Sequence, residues 1–375
     1  MLVFHSVSLL TEEDLPALIA FAETEAVTQN VCKEYSITRL LNEENILARL
    51  CAERVTPGES LKALALQDLN ELLKGLTESP LPADYRPSTR RTLSSASYQA
   101  SLTALVEADT AEALWEGLVN HYRRFGYGDM AKYVAYKWEK GLIGIDKPDH
   151  ASLDRLFCLD WQKEELVANT RSFLEGRPAN NVLLYGNSGC GKSSLVKALL
   201  NEFHEDGLRL VQIRKDDLGE LPLLLNALKG KPFRYLVFLD DLSFEDDDYQ
   251  YKTLKTVLEG GVEGQPANVL FYATSNRLHL VNETWEERKG GDIHVADTQN
   301  EKLSLSERFG IRISFLSPGQ NDYLRIVEGL LNAEGIPYTP ELRAEALKWA
   351  GFYHGKSGRT ATQFVRSILA NTASK

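Results

Sequence analysis

The chain of 375 residues is 43% hydrophobic and 25% charged, enough apolar material for two or three packed domains and too much for a disordered chain. Its formal net charge of −11 is spread along the length, with 15 Lys/Arg against 22 Asp/Glu in residues 1–149 and 27 against 31 in the rest, which excludes bulk attraction to nucleic acid but not a local patch. Four cysteines without C-x-x-C spacing argue against a zinc site or a disulfide framework and suit a reducing cytoplasm, and no run approaches the roughly 18 apolar residues of a membrane span.

The opening MLVFHSVSLL has no basic leader and runs into acidic TEED, which argues against a signal peptide. From Thr11 the pattern is helical, with Leu15, Leu18, Ile19 and Ala22 on one face. Ser60 opens a second helix carrying Leu61, Leu64, Leu69, Leu72 and Leu73, and Thr110 a third carrying Leu114, Trp115, Leu118, Val119 and Tyr122. Between the last two, TESPLPADYRPSTRR has the prolines of a loop. The run RRFGYGDMAKYVAYKWEKGL mixes Arg123, Arg124, Lys132 and Lys137 with Phe125, Tyr133, Tyr136 and Trp138. Such mixing can make a nucleic-acid surface, but in an acidic domain it reads rather as a helix that buries its aromatics and solvates its lysines.

Gly141, Gly144 and Pro148 break the helical signal and place a domain boundary near 140–152. Beyond it, short β-branched or apolar runs alternate with helical stretches: VLLY at 182–185, LRLVQIR at 208–214, YLVFLD at 235–240, NVLFYATS at 268–275 and RISFL at 312–316. That alternation predicts an α/β fold, a parallel sheet with helices on both faces. Three further helices, near 320–334, 340–353 and 359–370, follow Pro318 without a strand between them. The expected division is a helical domain at 1–145, an α/β core at 146–318 and a helical lid at 319–375.

The run Gly186, Asn187, Ser188, Gly189, Cys190, Gly191, Lys192, Ser193, Ser194 sits between the strand VLLY and a helix bearing Leu195, Leu199 and Leu200. This is the G-x-x-x-x-G-K-S pattern in the context it requires. The glycines let successive N–H groups face one anion, Lys192 adds a charge, and the Ser193 hydroxyl suits Mg²⁺. The strand YLVFLDD ends in two acids. Asp240 is placed to order a Mg²⁺ shell, and Asp241 to face an attacking water within hydrogen-bond reach. One strand later Asn276 tips NVLFYATSN, a polar amide able to bond both a phosphate oxygen and a water.

Taken in order, GNSGCGKS, VFLDD, Asn276, LSERFG and SGRTATQF resemble the Walker A, Walker B, sensor 1, arginine-finger and sensor 2 elements of AAA+ ATPases over roughly residues 150–372. More narrowly, PANNVLLYG, GKSSLVKALLNEF, FLDDLSFE, TLKTVLEGG and ATSNRLHL resemble the bacterial AAA+ family called domain of unknown function 815, whose helical N-terminal region would account for residues 1–145. The resemblance implies ATP and Mg²⁺ as cofactors, a clamp strand central in the sheet, and assembly into a ring or other oligomer. It implies Arg308 as a finger lent to a neighbouring subunit, where such residues contribute about 10³–10⁵ in rate, and Arg359 as a nucleotide contact from the lid. It also places Leu156 and Phe157, in DRLFCLD, at the adenine pocket.

Many AAA+ proteins carry Glu where this chain has Asp241, one methylene shorter, and Glu245 is a less well-placed substitute. Cys190, beside Lys192 and a helix N-terminus, stands in an environment that lowers a thiol pKa and where ATP would shield it from alkylation; the plainer reading is a small residue filling a variable loop position. The charged stretch from Asn282 to Ser304 reads as a surface insertion, and its His294 is not a ligand. The expected function is ATP hydrolysis at an inter-subunit site, driving conformational work on a partner bound by the N-terminal helical domain. The alternatives are a slowly hydrolysing assembly switch and a nucleic-acid loader. Nucleic acid is not favoured as a partner, and a membrane is not expected. A GTPase is disfavoured because no Asn-Lys-x-Asp motif appears, and a small-molecule kinase by the separate Arg308 and Arg359.

Overall fold

The computed structural model describes residues 3–4, 10, 12–53, 55–76, 81, 85, 96–149, 151–244, 249–260, 264–276, 305–352 and 355–373. The N-terminal part is helical, with helices at Leu15–Thr24, Val31–Asn42, Ile46–Ala52, Glu59–Gly75, Ala96–Glu107 and Ala111–Phe125. Their apolar stripes meet in a core that includes Leu40, Leu47, Leu69, Leu105, Leu114, Leu118 and Tyr122. Local chemistry sets several starts. Asn45 Oδ1 accepts from Ala48 N at 2.8 Å, and Thr110 Oγ1 accepts from Ala113 N at 3.2 Å, each satisfying a donor the helix itself leaves open.

The aromatic and basic run that the sequence suggests is helical is helical only in its first part and extended from Ala135 on. Helix Ala111–Phe125 ends at Gly126, a short helix spans Asp129–Lys132, and strands β1 (Ala135–Trp138) and β2 (Leu142–Gly144) follow as a hairpin. Tyr136 and Trp138 are buried while Lys137 between them is exposed, a period of two rather than 3.6. The sheet therefore begins ahead of residue 146, because β1 gains a partner in β4 that no local signal announces.

Strands β3 (Val182–Gly186), β4 (Leu208–Ile213), β5 (Arg234–Leu239), β6 (Val269–Ser275) and β7 (Ile311–Phe315) bring the sheet among the described residues to seven strands in the order β2-β1-β4-β5-β6-β3-β7. Every pairing but the β1–β2 hairpin is parallel. Both faces are covered, as a parallel sheet requires. Val237 and Phe271 face one apolar layer while Leu236 and Phe238 face the other, the alternation a strand imposes. The clamp strand β3 lies between β6 and β7, interior but one strand from the edge rather than central.

Helices Gln320–Ala333, Pro340–Phe352 and Gly358–Ala373 form the lid, around Tyr323, Val327, Leu331, Ala346 and Phe364. Among the described residues no helix is long and apolar enough to cross a membrane, and no group of three His, Cys, Asp or Glu is set to hold a metal.

Candidate functional site

Parallel strands direct their carboxyl ends to one edge of the sheet, and here that edge gathers the loop after β3, the acids after β5 and the tip of β6. Gly186 has φ 127°, and a Cβ there would fall 2.0 Å from the carbonyl oxygen of Phe315 on β7, so only glycine lets the loop leave the strand at this point. The loop is pinned by Asn187 N donating to that same oxygen at 2.9 Å. Gly191, at φ 97°, caps the helix Lys192–Phe203 and turns its N-terminus toward the loop.

Lys192 is 7% exposed and folds back over the loop, donating Nζ to Gly186 O at 2.7 Å, Asn187 O at 2.9 Å and Asn276 Oδ1 at 3.1 Å. Burial pushes its pKa down, while Cys190, Asp241 and Asp240 pull it back up. The amide of Asn276 reads both neighbours, since its Nδ2 donates to Asp241 Oδ1 at 2.8 Å. A second chain runs beside the first. Ser193 Oγ donates to Asp240 Oδ1 at 2.5 Å, Thr274 Oγ1 donates to the same oxygen at 2.7 Å, and Asp241 N donates to Thr274 Oγ1 at 2.9 Å. Asp241 takes a left-handed φ of 56°, a conformation that Asp tolerates better than most residues and that turns its carboxylate to Asn276.

These groups line a cleft of about 840 Å³ between the sheet edge and the lid. Ser188, Gly189, Cys190, Gly191 and Ser194 of the loop line it, as do Leu156, Phe157 and Arg359. The Phe157 ring lies against the lid, where a Cβ on Gly329 would come within 2.6 Å of it. Arg359 opens the last lid helix, and its backbone N–H donates to Gly189 O at 3.1 Å, so the lid rests directly on the glycine loop. Gly186 and Asn187 stand at the base of the loop, with Asn187 Nδ2 donating to Ser317 Oγ at 2.7 Å.

Of the expected site residues, Gly186 and Asn187 stand below the cleft without lining it, and Arg308 lies away from it altogether. It precedes β7, held by buried Leu305 and Phe309, and its guanidinium pairs with Glu259 Oε1 at 2.8 Å. Cys190 departs from expectation in chemistry. It is 7% exposed, and burial raises its thiol pKa more than Lys192 and Ser317 lower it. Glu245, His294 and the insertion Asn282–Ser304 lie outside the described residues.

The sequence reading misses Thr274, Trp161, Leu316 and Arg366, all of which line the cleft. Thr274 sits two residues before Asn276 and so on the same face of β6, and Arg366 sits two helical turns after Arg359. Those two had a usable signal in their spacing. Trp161 and Leu316 had none.

A family model described as "Protein of unknown function (DUF815)" matches residues 131–372. The replication factor C large subunit of Staphylothermus marinus is 41% identical over 59 residues, 16% of this chain and 13% of that protein, so this chain matches only a small part of that relative. Among solved structures, the Aeropyrum pernix ORC1 protein in complex with DNA is 16% identical, with 60% of this chain and 63% of that one covered at a TM-score of 0.43. The Thermotoga maritima RuvB Holliday junction branch migration motor is 13% identical, with 58% and 72% covered at a TM-score of 0.35. The family rests on the model match, which starts just before β1 and ends within the last lid helix. With a glycine loop on β3, acids on β5 and a helical lid over the sheet edge of a mainly parallel α/β fold, the chain belongs to the DUF815 family.

Proposed function

We propose that the protein binds ATP with Mg²⁺ in this cleft and hydrolyses it, using the nucleotide cycle to do conformational work on a partner. The observation that carries the reading is the pair of hydrogen-bonded chains, Lys192–Asn276–Asp241 and Ser193–Asp240–Thr274, converging on one glycine loop. The donor set fits the ligand. Positive-φ glycines free main-chain N–H groups, a helix N-terminus faces them, and Lys192 supplies positive charge for a polyphosphate. Ser193 Oγ and Asp240 share one position where a hard cation accepts oxygen ligands. Bound Mg²⁺ would neutralise charge on the phosphate oxygens.

Asp241 is the residue to orient water, with Asn276 fixing its carboxylate. Leu156 and Phe157 give the base an apolar wall, Arg359 reaches the nucleotide from the lid, and Arg308 acts on the cleft of a neighbouring copy. The helices ahead of β1 serve as the partner-binding part, the sheet from β1 onward with its covering helices as the ATPase core, and residues 319–375 as the lid. Four cysteines without C-x-x-C spacing support a cytoplasmic setting.

A second reading is favoured by one observation. Asp241 is short, and its Oδ1 is already engaged by Asn276, so ATP can be held while hydrolysis is slow, giving an assembly switch. A nucleic-acid loader has less support, because the short replication-factor match speaks for it and the net charge of −11 against it.

Nucleotide binding and phosphate release measured on the same protein separate these. Hydrolysis predicts Mg²⁺-dependent phosphate release that falls about 10²–10⁴-fold in Asp241→Asn while ATP binding persists, and binding that is lost in Lys192→Ala. Tight binding with negligible release in the wild type supports the switch. ATP that does not bind, or release untouched in Asp241→Asn, overturns the hydrolytic reading.

A further inference from the structure

The helix Lys192–Phe203 starts at the glycine loop and ends in a turn, His204–Gly207, that reaches the N-terminal helices. In that turn Glu205 accepts Ala96 N on Oε1 at 3.0 Å and Ser97 N on Oε2 at 3.3 Å. These are the first two N–H groups of helix Ala96–Glu107, donors that have no acceptor within their own helix. A carboxylate 109 residues away from Ala96 in sequence thus stands where a local cap would, and its charge meets the positive end of the helix dipole.

The turn is held firmly. Arg209, 2% exposed, donates Nη1 to His204 O at 3.0 Å and Leu208 O at 2.9 Å, and its guanidinium carbon lies 3.8 Å from the Phe233 ring centroid. Along the same helix Lys197 pairs with Asp149 at 3.1 Å, and Asn201 Nδ2 donates to Ala151 O at 2.5 Å, tying down the segment that joins the two parts of the chain. At about 1.5 Å per residue the helix Lys192–Phe203 is a stiff rod about 18 Å long, with the loop at one end and Glu205 just beyond the other. The capped helix belongs to both sides, giving Tyr98 to the sheet's core and Leu102, Leu105 and Val106 to the N-terminal core.

We propose that Glu205 is a positioning residue that relays occupancy of the glycine loop to the N-terminal helices by strengthening or releasing its cap on Ala96–Glu107. The proposal rests on the nucleotide reading of the loop. The arrangement responds to small motion, because a shift of about 1 Å takes a 3.0 Å N–H···O contact beyond hydrogen-bond range. Loss of such a cap changes the opening equilibrium of the first helical turn about 5-fold.

Hydrogen–deuterium exchange on the full chain, with and without a non-hydrolysable ATP analogue and Mg²⁺, tests this. The wild type should show slowed exchange at amides 187–194 and an altered rate, by about 2-fold or more, at amides 97–101. In Glu205→Ala the loop response should remain, the first turn of Ala96–Glu107 should exchange about 5-fold faster, and its response to the analogue should vanish. Glu205→Gln, which keeps the shape and one neutral acceptor, should show a reduced response, and it decides the matter if Glu205→Ala does not fold. A purely structural cap would change the rate at 97–101 without changing its dependence on the analogue. Loop protection in the wild type with no response at 97–101 overturns the relay, as does a response undiminished in both variants. No protection at 187–194 in the wild type is a different failure, since it removes the nucleotide reading and the relay with it.

Discussion

Lys192 and Cys190 stand two positions apart in the same loop, yet burial treats them by opposite rules. An ammonium loses water and becomes easier to deprotonate, but Lys192 regains three hydrogen bonds to Gly186 O, Asn187 O and Asn276 Oδ1, which hold its charge in place. The Cys190 thiol has a long contact to Ser188 O at 3.7 Å and a hydrogen bond with Ser317, and desolvation outweighs both that bond and the charge of Lys192, raising its pKa from 9.0. The sign follows directly. The thiolate fraction at pH 7 is smaller than for a free cysteine, and alkylation should be slow there and accelerate as pH rises through and beyond the ordinary thiol range. Peptide mass spectrometry of iodoacetamide-treated native protein at pH 7 and pH 9.5 checks this. Modification of Cys190 at pH 7 as fast as in the unfolded chain would show that the neighbouring charge outweighs burial. From sequence alone the adjacency of Lys192 is visible and the burial is not, which is why the expected direction was reversed.

At the scale of elements, legibility follows how local the deciding interaction is. Helix Ala111–Phe125 is readable because Leu114, Trp115, Leu118, Val119 and Tyr122 recur at helical spacing behind a capping Thr110, and all five are buried. Strand β1 is not, because four residues fit either period and the choice is made by pairing Ala135, Tyr136 and Lys137 with Leu210, Val211 and Gln212 far along the chain. The site divides by polarity. Lys192, Ser193, Asp240 and Asn276 are polar groups at a strand end or helix start, so local pattern finds them, whereas Trp161 and Leu316 hold equivalent positions but are apolar, and nothing in the pattern separates them from core residues. Helix Ala111–Phe125 also carries a pH dependence. His121 is wholly buried between Tyr98 and Phe125, Ser101 Oγ lies 3.0 Å from its Nδ1, and its Nε2 has no partner, so burial pushes its pKa from 6.5 down to about 3. The folded state resists protonation that the unfolded chain accepts. The stability that His121 contributes is therefore complete above pH 6.5 and is lost progressively as pH falls toward 3. Melting temperature measured from pH 8 to pH 4 should fall on the acid side, and His121→Phe should flatten that limb; equal slopes in the two proteins would mean that other groups govern it.

At the scale of the whole molecule, the position of Arg308 decides whether one chain is a complete machine. The cleft gathers Lys192, Ser193, Asp240, Asp241, Asn276 and Arg359 from its own chain, while Arg308 lies outside it, paired with Glu259 at the surface with side chains 46% and 36% exposed. A pair that open to water stabilises the fold by less than about 1 kcal/mol, so its geometry is weak evidence of a structural role. If Arg308 completes the cleft of a second copy, phosphate release per subunit should rise with protein concentration as copies associate. Arg308→Ala should then lose most of that rise, by up to about 10³-fold, with its melting temperature nearly unchanged. Complementation in trans is the sharper measurement. Arg308→Ala keeps an intact cleft without the arginine, and Lys192→Ala keeps the arginine without a working cleft. Each alone should be inactive, and a mixture should recover a substantial part of wild-type release, because mixed assemblies set an intact Arg308 against an intact Lys192. A mixture as inactive as its components, under conditions in which the two variants associate, would place Arg308 outside the reaction and make each chain's cleft self-sufficient.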